Sequence, residues 1–247
     1  MFASCPRPSR FKYAIAILLV AGSIAAVRAE EIPDSVKSYA DALAALQKSR
    51  RRQSIEPVFE AGFQTTSHLQ AVLPSLSEAD YQKAQREMQG FIVVRKANEN
   101  SVVRPSVDYF KALAKKKGIK ADRAFFDVYA QTEPDGNGPF PSYIKQRDEE
   151  SGCTNFAGKK ITELYREWLA FRTGYPDAYQ SEAQGEIDSI ETELQSGICS
   201  CDDADKTAAG LQSFVDAYPN VPIAPKIKTR IDQIKSGKSA FRFNCKG

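Results

Sequence analysis

The sequence FRTGYPD, residues 171–177, recurs as FVDAYPN at residues 214–220 and marks the turn of a repeated helical unit. In both copies an apolar helical pattern reaches the Phe and stops at the Tyr-Pro pair, and a second helical pattern follows. The second helices share the pattern I-D-x-I, at residues 187–190 and 231–234. A unit that repeats after 43 residues predicts two helical hairpins of similar structure.

Helical periodicity also dominates the chain before these hairpins. It predicts helices at about 33–53, 56–73, 77–89, 106–117 and 121–132. Within residues 90–105, FIVVR and SVVR flank the turn-rich ANEN, which predicts a small β-hairpin near 91–104. We therefore expect an all-α protein with an N-terminal helical region, residues 30–132, followed by two stacked αα-hairpins in residues 153–247.

Residues 133–152 separate these two regions. Their sequence, EPDGNGPFPSYIKQRDEESG, is rich in Gly, Pro and acidic residues and has no helical period. Such a composition is typical of loops, so we expect a linker here.

Residues 1–29 have the pattern of a secretory signal peptide, with a basic start, an apolar run from Tyr13 to Val27 and a small-residue cleavage site at 27–29. The apolar run is short for a membrane span, and a retained signal anchor is the alternative. Cleavage would remove four basic residues and no acidic one, so the net charge would change from +3 to −1. We expect a periplasmic or secreted protein, without stable membrane insertion and without the basic excess of a nucleic-acid-binding protein.

Four cysteines follow the signal segment: Cys153, Cys199, Cys201 and Cys245. An even number in an exported chain indicates two disulfides. Cys153 precedes the first hairpin, Cys199 and Cys201 lie between the hairpins, and Cys245 follows the second. We prefer Cys153 with Cys199 and Cys201 with Cys245, one disulfide per hairpin. The crossed pairing, Cys153 with Cys201 and Cys199 with Cys245, remains open because a shift of two residues moves a cysteine very little.

The spacing of these cysteines argues against other chemistry. A four-thiolate zinc site normally has ligand pairs spaced C-x2-C or wider, and a redox pair has the spacing C-x-x-C. Here the close pair is separated by Ser200 alone. We therefore expect no metal and no cofactor.

The repeated unit resembles the tetratricopeptide-like repeats of bacterial envelope proteins. In these repeats a helix ending F-x-x-x-Y-P turns into a second helix that carries a small residue, here Ala183 and Ala224. The resemblance covers about 95 residues, in two copies spaced more widely than the usual 34. It implies a helical stack that binds a protein, and it implies no chemistry.

Aromatic and basic residues cluster around the first Tyr-Pro turn. Trp, Tyr and Arg dominate the energetics of protein interfaces. The candidates for partner binding are Tyr165, Trp168, Arg172, Tyr175 and Tyr179. Tyr165 and Arg172 are the stronger surface candidates, because the second hairpin has no aromatic or basic counterpart for them.

No catalytic signature accompanies the one histidine, His68, and no catalytic residue is singled out. We expect a non-catalytic protein-binding or scaffold protein of the bacterial cell envelope, with a protein partner in the same compartment. The alternatives are an exported enzyme inhibitor or immunity-type protein, and a cell-wall hydrolase that uses two of the many carboxylates. A cleft lined by Glu or Asp between the two regions would favour the hydrolase, and a shallow apolar groove the scaffold.

Overall fold

The computed structural model describes residues 31–96, 101–135, 140–146 and 151–246. These parts of the chain are mostly helical, which confirms the all-α prediction. The N-terminal helices are α1 (Asp34–Lys48), α2 (Glu56–Val72), α3 (Glu78–Glu87), α4 (Val107–Lys117) and α5 (Lys120–Thr132). The C-terminal helices are α6 (Lys160–Gly174), α7 (Gln180–Ser196), α8 (Ala204–Ala217) and α9 (Ala224–Lys235). A short 3-10 helix (Leu73–Ser75) follows α2, and the short strands are β1 (Phe91–Val94), β2 (Val102–Pro105), β3 (Ile144–Gln146) and β4 (Gly152–Thr154).

The predicted β-hairpin is present. Strands β1 and β2 pair antiparallel, with Phe91 opposite Pro105 and Val94 opposite Val102. Its tip, residues 97–100, lies outside the described residues. Strand β2 packs on α2, so the hairpin covers one side of the N-terminal helices.

Aromatic rings form the centre of the N-terminal region. The ring of Phe59 makes edge-on contacts with its neighbours at centroid distances of 5.1–6.1 Å. These neighbours are Phe110, Phe125, Phe126, Tyr129 and Tyr179. Edge-on pairs of this kind add stability beyond the area they bury. Since Tyr179 belongs to the C-terminal region, the aromatic core joins the two regions.

The predicted linker, residues 133–152, forms hydrogen bonds with the N-terminal helices through Asp135. The carboxylate of Asp135 accepts hydrogen bonds from the backbone N–H of Val107, at 2.7 Å, and from the Ser106 hydroxyl, at 2.9 Å. It therefore satisfies N–H groups at the start of α4, which have no partner within the helix. Strand β3 pairs antiparallel with β4, which directly precedes the C-terminal hairpins.

The C-terminal helices pack as two pairs, α6 with α7 and α8 with α9, and α7 also contacts α9. Arg230 on α9 joins the pairs. Its guanidinium donates to the carbonyls of Leu194, at 2.6 Å, and of Gly197 at the end of α7. A cation at this end of a helix satisfies carbonyls that lack partners and complements the helix dipole.

The two regions are joined by a buried carboxylate. Asp122, which is completely buried on α5, accepts hydrogen bonds at Oδ1 from the Tyr179 hydroxyl, at 2.8 Å, and from the Ser54 hydroxyl, at 3.1 Å. The backbone N–H of Ile55 also donates to Oδ1, at 3.2 Å, and that of Ile119 donates to Oδ2, at 2.7 Å. Asp122 thus connects the α1–α2 loop, the start of α5 and the start of α7.

Tyr179 is fitted closely into this junction. Its ring stacks on Phe125 with centroids 3.8 Å apart and an interplanar angle of 7°. Its backbone has a φ of +48°, which L-residues adopt rarely, and its N–H donates to the carboxylate of Glu56. The side chain and the backbone of Tyr179 therefore both fix the start of α7 against the N-terminal helices.

The disulfides are Cys153–Cys201 and Cys199–Cys245, so the preferred pairing is wrong and the crossed alternative is correct. The reason is the register of short backbone pairings between the hairpins. The N–H of Cys201 donates to the carbonyl of Thr154 at 3.0 Å, which brings Cys201 beside Cys153. Cys199 forms a bridge with Arg242, close to Cys245. Each disulfide still encloses one hairpin.

We predict that Asp122→Asn lowers the free energy of unfolding by about 2–4 kcal/mol, because an amide cannot accept every hydrogen bond that this buried carboxylate accepts. Urea unfolding would measure the change. Tyr179→Phe, which removes one donor, should cost about 1 kcal/mol. The control is Asp127→Asn on the same helix, where an exposed pair with Lys111 is lost. A control loss as large as that of Asp122→Asn would contradict the prediction.

The pairing can be tested with double cysteine variants, since no protease separates Cys199 from Cys201 readily. Cys153→Ser/Cys201→Ser should retain one disulfide after export and lose up to about 4 kcal/mol, the chain-entropy value for a loop of this length. Cys153→Ser/Cys199→Ser removes one member of each disulfide, so this variant should lose clearly more of the free energy of unfolding. Thiol counting and unfolding in denaturant would compare them, and equal stability would argue against the observed pairing.

Candidate functional site

A groove of about 510 Å³ lies between α2 of the N-terminal region and α7 of the C-terminal region. Glu60 and Phe63 line it from α2, and Glu182 and Glu186 line it from α7. Its volume is within the range of small-molecule and peptide-side-chain sites. A neighbouring depression of about 570 Å³ continues along the last turns of α2, and the described residues that line it include no ionisable one. Of these two depressions, the groove between the two regions is therefore the one with ionisable side chains.

Helical spacing groups the carboxylates of the groove, Glu60, Glu182 and Glu186, with Glu56 at the start of α2. Glu56 and Glu60 are four residues apart on α2, and Glu182 and Glu186 are four residues apart on α7. Residues at this spacing share one helix face. The hydrogen bond from the Tyr179 N–H to Glu56 brings the starts of the two helices together. Two acidic faces from distant parts of the sequence therefore meet.

Burial and mutual repulsion change the acidity of these groups. Burial raises the pKa of Glu186 to about 7. Burial also raises the pKa of Glu182, and the charges of Glu60 and Glu56 raise it further. Next to the groove, burial and the charge of Glu186 raise the pKa of Glu133 to about 8, against the opposing effect of Arg104. Part of this cluster is therefore protonated near neutral pH.

One carboxylate oxygen in the groove has no hydrogen-bond partner among the described residues. Oε2 of Glu182 is shielded from solvent, and no described residue donates a hydrogen bond to it. A buried acceptor without a donor costs about 1–3 kcal/mol. A ligand that brings an N–H donor to this oxygen would recover that free energy.

The groove also has an apolar wall. The side chain of Phe63 is 44% exposed, although its ring stacks on buried Phe59 at a centroid distance of 6.0 Å. An exposed aromatic ring beside carboxylates can contact both the alkyl stem and the charge of a cationic side chain.

Three of the five residues predicted to bind a partner are buried. Trp168 is completely buried and donates its indole N–H to the Thr132 hydroxyl at 3.0 Å, and Tyr179 lies in the junction described above. The expectation that Tyr165 lies on the surface is wrong. Helix α8 covers it, with Phe214 and Tyr218 in ring contact at 5.1 and 5.0 Å, and its hydroxyl donates to Glu191. These side chains hold the fold together.

The other two residues are more accessible. Arg172 is exposed and donates to the side chain of Gln184, and Tyr175 is half-buried against Phe171. Partner binding by Arg172 and Tyr175 stays a prediction. Neither residue lines the groove between α2 and α7.

The glutamate pairs of the groove are visible in the sequence as a spacing pattern, but helical periodicity did not indicate that they lie together. The pattern E-x3-E occurs at residues 56–60, 163–167 and 182–186, but only the packing of α2 near α7 shows that Glu60 meets Glu182 and Glu186 in one groove. Within the described residues, no group of three or more His, Cys, Asp or Glu side chains could hold a metal ion. None of the described helices combines the length and the apolar composition needed to cross a lipid bilayer.

Comparison with protein-family models, curated proteins and solved structures finds no match for this chain.

We predict that Glu186→Gln stabilises the protein above pH 7 and has little effect near pH 4.5. The folded chain raises the pKa of Glu186 above the ordinary 4.5, so the charged form is disfavoured in the fold and the stability due to this group falls as the pH rises towards 7. The amide removes that penalty, by about 1–3 kcal/mol. Urea unfolding at pH 4.5, 6 and 8 would measure it. Asp188→Asn, at an exposed position on α7, is the control, and a pH-independent effect of Glu186→Gln would contradict the prediction.

Proposed function

We propose that this protein is an exported, non-catalytic protein-binding protein of the bacterial cell envelope, and that it holds a basic segment of its partner in the groove between α2 and α7. The observation that carries the proposal is the combination of Glu60, Glu182 and Glu186 with the exposed ring of Phe63 in one groove. A carboxylate-rich surface with an aromatic wall complements Lys and Arg side chains in both charge and shape.

A basic segment would provide the groove with a hydrogen-bond donor, a compensating positive charge and an apolar contact. An ammonium or guanidinium group donates hydrogen bonds, and the unpartnered Oε2 of Glu182 would accept one of them. Its charge would offset the repulsion among Glu56, Glu60 and Glu182. Its alkyl stem would pack on Phe63, as the stems of long cationic side chains do on apolar surface.

The disulfides and the helical pairs support the rest of the proposal. Disulfides persist in oxidising compartments, which favours export, and the predicted signal peptide at 1–29 lies outside the described residues. The packing of α6 with α7 and of α8 with α9 supports the proposed resemblance to tetratricopeptide-like repeats, whose stacks bind proteins.

The second candidate is a cell-wall hydrolase. Glycosidases use two carboxyl groups, of which one has a raised pKa and donates a proton. Glu186 has such a raised pKa, and Glu60 and Glu182 line the same groove. The inhibitor hypothesis depends on the loop at 133–142, which includes residues 136–139 outside the described part of the chain.

Site-specific photo-crosslinking would test the binding function. A photoreactive amino acid at Phe63 should give a covalent adduct with a basic region of an envelope protein, identified by mass spectrometry. The same amino acid at exposed Thr229 on α9 should not. Glu60→Gln/Glu182→Gln should lower the adduct yield at least about tenfold, because it removes two charges that face the partner.

The outcomes separate the two candidates. Asp188→Asn/Asp216→Asn, which removes two exposed charges away from the groove lining, is the matched control and should retain the adduct. Equal adducts from positions 63 and 229 would refute the binding proposal. Release of soluble fragments from purified peptidoglycan, lost in Glu186→Gln, would support the hydrolase instead.

A further inference from the structure

Two basic runs that are more than 60 residues apart in the sequence converge at one end of the molecule. The first comprises residues 48–52, at the end of α1, and the second comprises residues 115–120, at the end of α4 and the start of α5. The N–H of Gln53 donates to the carbonyl of Lys117 at 3.0 Å, and the side chain of Arg52 donates to the carbonyl of Gly118 at 3.1 Å. We call the surface formed by the two runs the basic patch.

Some of these cations have a structural role. The ammonium of Lys117 donates to the carbonyls of Gln47, at 2.8 Å, and of Ser49, so it satisfies the end of α1. With Arg52, it holds the two runs side by side. Substitution of either residue would disturb the fold as well as the charge.

The remaining cations of the patch are exposed, and none of their side chains forms an ion pair or hydrogen bond with a described residue. They are Lys48, Arg50, Arg51, Lys115, Lys116 and Lys120. Residues 48–53 and 115–121 contain no acidic residue. The next acidic residue, Asp122, is completely buried and accepts hydrogen bonds from Ser54 and Ile119, so its charge is not at the surface. The charge of the patch is therefore not neutralised locally.

Asp122 fixes the arrangement of the two runs. It accepts hydrogen bonds from the backbone of Ile55, which follows the first run, and of Ile119, within the second. The patch is thus held by contacts of the backbone with Asp122, in addition to those of the Lys117 and Arg52 side chains, and does not depend on its other long side chains. A preorganised array of charges loses little entropy when it binds a surface.

An apolar side chain lies within the patch. Ile119 is 41% exposed between Lys117 and Lys120. Nucleic-acid-binding strips combine cations with aromatic rings that stack on bases, and the two runs contain no aromatic residue. Cations around an exposed aliphatic side chain instead match a bilayer interface, where phosphates lie next to the ends of apolar chains.

We propose that the basic patch docks the protein reversibly on the surface of an anionic phospholipid bilayer. The exposed cations bind headgroup phosphates, and Ile119 enters the interface between them. Each Lys or Arg near such a surface strengthens binding roughly fivefold, and the effect is screened by salt. This peripheral contact involves no membrane-spanning segment, and it is separate from the groove between α2 and α7.

Vesicle sedimentation of the protein purified after export would test the proposal. The protein should bind vesicles of equal parts phosphatidylglycerol and phosphatidylcholine at low salt, bind vesicles of phosphatidylcholine alone much less, and dissociate as salt increases. Arg50→Gln/Arg51→Gln/Lys115→Gln/Lys116→Gln should weaken binding by roughly several hundredfold, at about fivefold per charge. Ile119→Ser should weaken it severalfold at high and low salt alike.

The matched control removes the same number of charges elsewhere. Lys226→Gln/Lys228→Gln/Lys235→Gln/Lys238→Gln alters four exposed cations in and after α9 and should retain binding within about threefold. Unfolding midpoints of all variants would verify that they fold. Equal losses in the two quadruple variants, no preference for anionic vesicles, or binding to heparin or DNA without binding to vesicles would each overturn the proposal.

Discussion

The carboxylate of Asp122 is the contact on which most of this structure depends. A buried charge is costly unless donors and a favourable field compensate for it. Here two hydroxyls and two backbone N–H groups converge on it at 2.7–3.2 Å, and it lies in the first turn of α5, where the helix dipole favours a negative charge. Because the donors come from three separate segments, satisfying this charge requires the chain to assemble its N-terminal and C-terminal regions together.

The groove between α2 and α7 and the basic patch both follow from that assembly. When Tyr179 reaches Asp122 and its N–H meets Glu56, the start of α7 lies beside α2 and their acidic faces form one groove. When Ile55 and Ile119 donate to the same carboxylate, two basic runs become neighbours. One buried group therefore positions three glutamates along a groove and brings together the eight lysines and arginines of the two basic runs.

The carboxyl groups of the groove lower the stability of the folded protein, and such a cost is typical of residues that bind a ligand. Carboxyl groups with raised pKa values, such as Glu186 and Glu182, destabilise the fold when they are charged, and no described residue donates a hydrogen bond to Oε2 of Glu182. Natural sequences accept such local conflicts mainly where function requires them. The Tyr165 and Trp168 side chains show the contrasting case, because their polar atoms are paired with Glu191 and Thr132 inside the core.

Local sequence patterns are sufficient to predict the helices, the small β-hairpin, the four paired cysteines and the two C-terminal hairpins, because periodicity, caps and Tyr-Pro turns act within a few residues of one another. The tertiary structure alone decided which cysteine pairs with which, whether Tyr165 faces solvent, and where the E-x3-E pairs and basic runs meet. These outcomes depend on backbone register at Thr154 and Arg242 and on the convergence at Asp122. Such contacts join residues far apart in the chain, and local patterns carry no information about them.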